Sequence, residues 1–261
     1  MTSPSSPRGS ARRFLIAPFT TLFPLGLLGV ASVLPTLPAL LTPLIERMPT
    51  APSLAVLMAA STAQLTVLTA LGVLAGAFAA HRVGFTSRIV ERDVRALKRD
   101  VRSAVLPGLL TGAIVVGLDV LTAPLMGEAW TNAVADQQRT MLTTLSGLLY
   151  GGITEELQMR WGLVSLVTLG LWKLLARRTP RPPAKLTLLA VVLIAVLFGI
   201  GHLGAAAALV PLTPSIVART VVINALAGVV FGWLFTRRSL ESAMVAHALS
   251  HVAISVLAFV L

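Results

Sequence analysis

Eight ionisable side chains sit in stretches that are otherwise Leu, Val, Ala and Gly: Asp119, Glu155, Glu156, Arg160, His202, Arg219, His247 and His251. Three of the four histidines are among them; the fourth, His81, stands beside Arg82 at the end of an apolar stretch, where an interfacial role suffices. Their spacing restricts what they can do. In a helix, residues four apart share a face, so Glu156 and Arg160 can form an ion pair. Glu155 is rotated about 100° from Glu156 and needs another partner. His247 and His251, in "HALSH", present two imidazoles on one face, and His202 lies in "FGIGHLG" between glycines that permit close helix approach. A carboxylate near imidazoles can take a proton from water, complete a site for a divalent metal such as zinc through His202 and His247, or relay protons across a membrane. Each residue also has a structural reading. Glu156–Arg160 can be a clamp, a lone buried histidine can simply satisfy a hydrogen bond, and Asp119 and Arg219 can pair with each other. Concentration favours chemistry, because Glu155, His202, His247 and His251 all lie in the last 107 of 261 residues.

The elements that must position these groups are membrane helices. The chain is 56% hydrophobic and 12% charged, and a soluble domain carries about twice that charged share. Apolar stretches long enough to cross a bilayer, about 20 residues each, recur throughout. The expected fold is an all-α polytopic transmembrane bundle of about seven spans, with six to eight as the range. The expected spans are 14–44, broken by prolines, then 53–80, 106–126, 141–175, 186–209, 216–235 and 243–261. Residues 81–105 are strongly basic, with Ile89, Val90, Val94, Leu97 and Val101 recurring at helical spacing, and are expected to form an amphipathic helix at the membrane surface. "ARRTPRPPAK", 176–185, is a linker that no helix can run through. The net charge of +11 falls mostly between the spans. Arg8, Arg12 and Arg13, then 82–102, 173–185, and Arg237 with Arg238 share one side if seven spans alternate, which places the amino terminus in the cytoplasm. Residues 1–13 are then a cytoplasmic tail, 14–140 the N-terminal helices with the basic connector, and 141–261 a helical core carrying the chemistry. The basic balance therefore speaks for a lipid bilayer and a cell-membrane location, not for nucleic acid. With no cysteine, disulfides and thiolate metal sites are excluded.

Over roughly 140–257 the sequence resembles the CPBP family of intramembrane proteases (CAAX proteases and bacteriocin-processing enzymes, also called Abi). The matching residues are Glu155-Glu156-x-x-x-Arg160, then Phe198-x-x-x-His202, then His247-x-x-x-His251, where the family more often has Asn at the last position. The resemblance implies hydrolysis of a peptide bond in a membrane-associated protein or peptide. It assigns Glu155, Glu156, His202, His247 and His251 to the catalytic group, with Arg160 and Phe198 in support. Glu155 is the expected base, and His202 and His247 are expected to hold water directly or through a metal. "HALSH" lacks the glutamate of the HExxH zinc pattern, so the metal stays open. A non-catalytic membrane partner or immunity-type relative, and a proton- or ion-coupled transporter, are the competing readings.

Overall fold

A computed structural model describes residues 7–46, 50, 52–135 and 139–260. Residues 1–6 of the expected tail, Arg47, and the side chains of Arg8, Arg12 and Arg13 lie outside the described residues. Every regular element among the described residues is helical. Six spans have the length and apolarity to cross a membrane: Leu15–Pro43, Leu54–Val83, Val94–Leu125, Ala184–Leu209, Pro214–Arg237 and Leu240–Val260. The chain is a multi-pass helical membrane protein.

The first span is split where the prolines required it. Helix α1 (Pro7–Val33) starts inside the stretch expected to be a tail, and it ends in a 3₁₀ turn at Leu34–Thr36 that carries Pro35. Helix α2 (Leu37–Glu46) follows. Helix α3 (Leu54–Val83) is capped by the Ser53 hydroxyl at its start and by left-handed Gly84 at its end.

The basic connector departs from expectation. It is not one surface helix but a single turn, α4 (Arg88–Glu91), followed by the first turns of a long helix, α5 (Val94–Thr122). Arg92 at φ 58° ends α4, and the Asp93 side chain caps α5. The buried stripe on α5 is Ala96, Asp100 and Ala104, while Val94 is 59% exposed. A buried carboxylate there has a local cause. Glu241 accepts hydrogen bonds from the Ser87 hydroxyl (2.6 Å) and the backbone N–H groups of Arg88 (2.9 Å) and Ile89 (3.0 Å). Asp100 in turn accepts from the Arg88 guanidinium at 2.8 Å, and this bond holds that guanidinium above its ordinary pKa.

Helix α6 (Glu128–Ala135) follows on the far side. The expected fourth span, 141–175, is helical throughout but changes winding. Helix α7 (Met141–Ser146) passes into π-helical turns over Gly147–Glu155 and Leu157–Val164, and α8 (Ser165–Leu175) resumes ordinary winding. The proline-rich linker is non-helical over 176–183, while its last two residues, Ala184 and Lys185, already belong to the next helix. Helix α9 (Ala184–Gly201) ends at His202, and the short α10 (Leu203–Leu209) continues beyond it. Helices α11 (Pro214–Arg237) and α12 (Leu240–Val260) complete the bundle. Gly108 and Gly112 bring α5 against the α12 backbone; a Cβ on Gly108 would stand 2.6 Å from the carbonyl of Ala246. Small residues at such crossings let membrane helices approach closely. Asp119 and Arg219 do pair across α5 and α11, with Arg219 also 4.5 Å over the Trp130 ring.

Candidate active site

The π-helical run 147–164 lies between the two halves of the bundle, and each face has a separate task. One face anchors it to α1 and α3. The Thr154 hydroxyl donates to the Gly26 carbonyl (2.8 Å), the Gln158 amide to the Thr69 hydroxyl (3.0 Å), and the Trp161 indole to the Val73 carbonyl (3.3 Å). The other face meets α12. Gly147, Gly151 and Gly152 form a smooth strip there: a methyl on Gly151 would lie 2.7 Å from Nε2 of His251 and 3.2 Å from Nε2 of His247. A π turn closes i→i+5 hydrogen bonds and often marks a functional position in a helix. Here Glu155 ends the first π-helical stretch, and Glu156 stands between the two.

Glu156 is fully buried, and its Oε1 is paired with a guanidinium and accepts a hydrogen bond from an imidazole. Arg160 lies 3.0 Å away, as the i,i+4 spacing required, and Nδ1 of His247 lies 2.7 Å away. The arginine is fixed in turn: one guanidinium nitrogen donates to the Gly228 carbonyl at 3.1 Å, and its plane lies 4.9 Å from the Phe198 ring and 5.5 Å from the Phe231 ring. Glu156 Oε2 has no hydrogen-bond partner. Glu155 points elsewhere, as the rotation about the helix demanded. Its side chain keeps 17% exposure, and its Oε2 stands 3.8 Å from Nε2 of His247. That is beyond a direct hydrogen bond, but one water could reach both atoms.

His247 is therefore flanked by both carboxylates, and two rings hold its plane. Phe231 stacks on it at 4.5 Å and 18°, and His251 at 5.1 Å and 18°. His251 does not face the carboxylates; its ring lies along the glycine strip, and its Nδ1 is buried without a partner. His202 is joined to the group through Phe198. The Phe198 ring is 4.5 Å from His202 and 5.9 Å from His247, edge-on to both. This reconciles two histidines at different depths: side chains on a helix lean toward its N-terminus, so the Phe198 ring reaches back toward His247 while His202 stays at the end of α9. Nδ1 of His202 bonds to the Phe198 carbonyl at 2.8 Å.

These contacts set the protonation pattern. A carbonyl or carboxylate oxygen only accepts, so Nδ1 carries the hydrogen on His202 and His247, and Nε2 is the ring nitrogen left for a further partner. An oxyanion donor at either position would need a second proton on the ring. Histidines held through Nδ1–H are also typical of metal ligation, and Glu155 supplies a carboxylate. However, zinc draws three or four donors to about 2.0–2.3 Å, and no three His, Asp or Glu groups among the described residues are so gathered. The donors fit a metal in kind but not in placement.

The structure brings Glu155, Glu156, Arg160, Phe198, His202, His247 and His251, all named from the sequence, into one cluster. Sequence reasoning missed Phe231, the Gly228 carbonyl and the glycine strip, and it gave Glu156 only its arginine. The strip was visible as "GLLYGG" beside the glutamates; the contact between Glu156 and His247 had no local signal.

Residues 137–253 match the family model described as type II CAAX prenyl endopeptidase, Rce1-like. No curated protein and no solved structure matches the chain.

Proposed function

We propose that the protein, whose residues 137–253 match the Rce1-like CAAX prenyl endopeptidase model, is an intramembrane endopeptidase of the cell membrane acting on a membrane-associated protein or peptide. The observation that carries this reading is the unequal use of the two glutamates. Glu156, sealed and tied to Arg160, directs Nδ1 of His247, while Glu155 stays open opposite Nε2 of the same ring. A water between them donates one hydrogen to that nitrogen and the other to Glu155. As its oxygen bonds to the scissile carbonyl carbon, Glu155 takes the proton; as the C–N bond breaks, the protonated Glu155 returns it to the leaving nitrogen. Glu156 and Arg160 act through His247, which makes them positioning residues. A divalent ion, were one bound, would draw on Nε2 of His202, Nε2 of His247 and Glu155 and would supply Lewis acidity.

The test is a cleavage assay on purified protein with membrane-anchored peptides, with and without a prenylated cysteine before the scissile bond. The expected result is cleavage of at least one peptide, abolished by Glu155→Gln. Loss of activity with a chelator, restored by zinc, would place a metal in the reaction; full activity with the chelator would leave glutamate and histidine acting alone. No cleavage by folded protein across the panel would favour the non-catalytic partner.

A further inference from the structure

A large cavity of about 1020 Å³ opens away from the carboxylates, at the end of the bundle where the basic segments gather. Its walls come from four separate places in the chain: the end of α3 (His81, Arg82), the linker (Pro180, Arg181), the start of α9 (Lys185, Leu188) and the end of α11 (Trp233, Arg237). The lining holds Arg82, Arg181, Lys185 and Arg237 and no carboxylate. Arg82 is partly committed, lying 3.9 Å over the Phe78 ring and donating to that residue's carbonyl. The other three are exposed, and among the described residues none has an ion pair.

Like charges converging from separate segments repel one another unless an anion joins them. The rest of the cavity says which kind. Leu188 is 55% exposed and Trp233 51%, and both stand where spans begin or end. An exposed tryptophan at that level sits at the membrane interface. Basic pockets between membrane helices suit anionic headgroups. We propose that this cavity binds an anionic glycerophospholipid, its phosphate among Arg181, Lys185 and Arg237 and one acyl chain along Leu188 and Trp233.

The site is separate from the chemistry, yet close to it. Trp233 and Phe231 are two residues apart on α11, about 200° around the helix, so one side of α11 faces the lipid while the other holds His247 in place. The bound headgroup also ties the linker that joins the glutamate-bearing helix to the helix of Phe198 and His202.

The experiment titrates tail-brominated phosphatidylglycerol into purified full-length protein in detergent and reads quenching of Trp233, taken as the difference from Trp233→Phe. Tail-brominated phosphatidylcholine is the zwitterionic reference. Phosphatidylglycerol is expected to half-quench at a mole fraction at least about tenfold lower. The triple variant R181Q/K185Q/R237Q is expected to lose about 100-fold in apparent affinity, about fivefold for each cation. R177Q/R178Q, which changes neighbouring charges outside the lining, is expected to keep the preference. Equal quenching by the two lipids, or a triple variant that still prefers phosphatidylglycerol, would overturn the proposal. Displacement of the lipid by millimolar inorganic phosphate would overturn it too, assigning the site to a soluble phosphate. Because wild-type protein alone distinguishes the two lipids, the test stands even if the triple variant does not fold.

Discussion

Two buried carboxylates in this protein are surrounded in opposite ways. Glu241, 3% exposed, has donors for both oxygens: the Ser87 hydroxyl and the Ile89 N–H on one, the Arg88 N–H on the other. It closes the joint between α4 and α12. Glu156, 0% exposed, gathers Arg160 and His247 on one oxygen and leaves the other unpartnered, with a second carboxylate next to it that reaches solvent. A buried polar group with every partner in place rigidifies, whereas one left incomplete persists where function needs it. Burial is the same for both, so what separates Glu241 from Glu156 is that one has every partner in place and the other does not.

Four substitutions break or sharpen this contrast. Glu155→Gln removes the proposed base, for which a loss of about 10²–10⁴ in kcat/KM is expected; because the residue has no tight partner, the melting temperature should hardly move. Glu241→Ala should do the reverse. Three donors lose their acceptor, at about 1 kcal/mol or more each, so thermal unfolding in detergent should show a total loss of about 3 kcal/mol, while folded protein keeps its turnover. A large kinetic defect in Glu241→Ala without destabilisation would erase the distinction. Gly151→Ala comes next. Its methyl displaces the imidazoles of His251 and His247, and misplacement by an ångström costs up to about 100-fold. That loss should appear in kcat with little change in substrate binding. Asp119→Asn should be the smallest effect, about 1 kcal/mol, because the amide oxygen still offers the Arg219 guanidinium an acceptor.

Much of the fold could be read from the sequence because a bilayer imposes long apolar stretches, and much of the site because Glu155, Glu156, Arg160, His202 and His247 are conspicuous inside them. What could not be read has physical reasons. The π winding of 147–164 has no composition of its own. The connector's fate turned on Arg92 adopting a left-handed conformation, which its side chain does not advertise, and on Asp100 and Glu241 finding partners more than a hundred residues away in one case. Phe231 looked like any other core aromatic. The cavity exists only because four distant segments end at one level.

His202 is a joint in the backbone as well as a candidate site residue. Its backbone N–H bonds to the Gly199 carbonyl, three residues back, and its imidazole takes the Phe198 carbonyl that an ordinary helix would give to that N–H. An alanine scan would misread this position, because His202→Ala removes the ring and also releases the splice between α9 and α10. The chain contains its own template for a better control: Asn224 donates its side-chain amide to the carbonyl four residues back, Thr220, at the same 2.8 Å. His202→Asn should preserve the splice while removing Nε2. Lost cleavage with unchanged melting would then report on that nitrogen alone, and retained cleavage would show that position 202 matters only as carpentry.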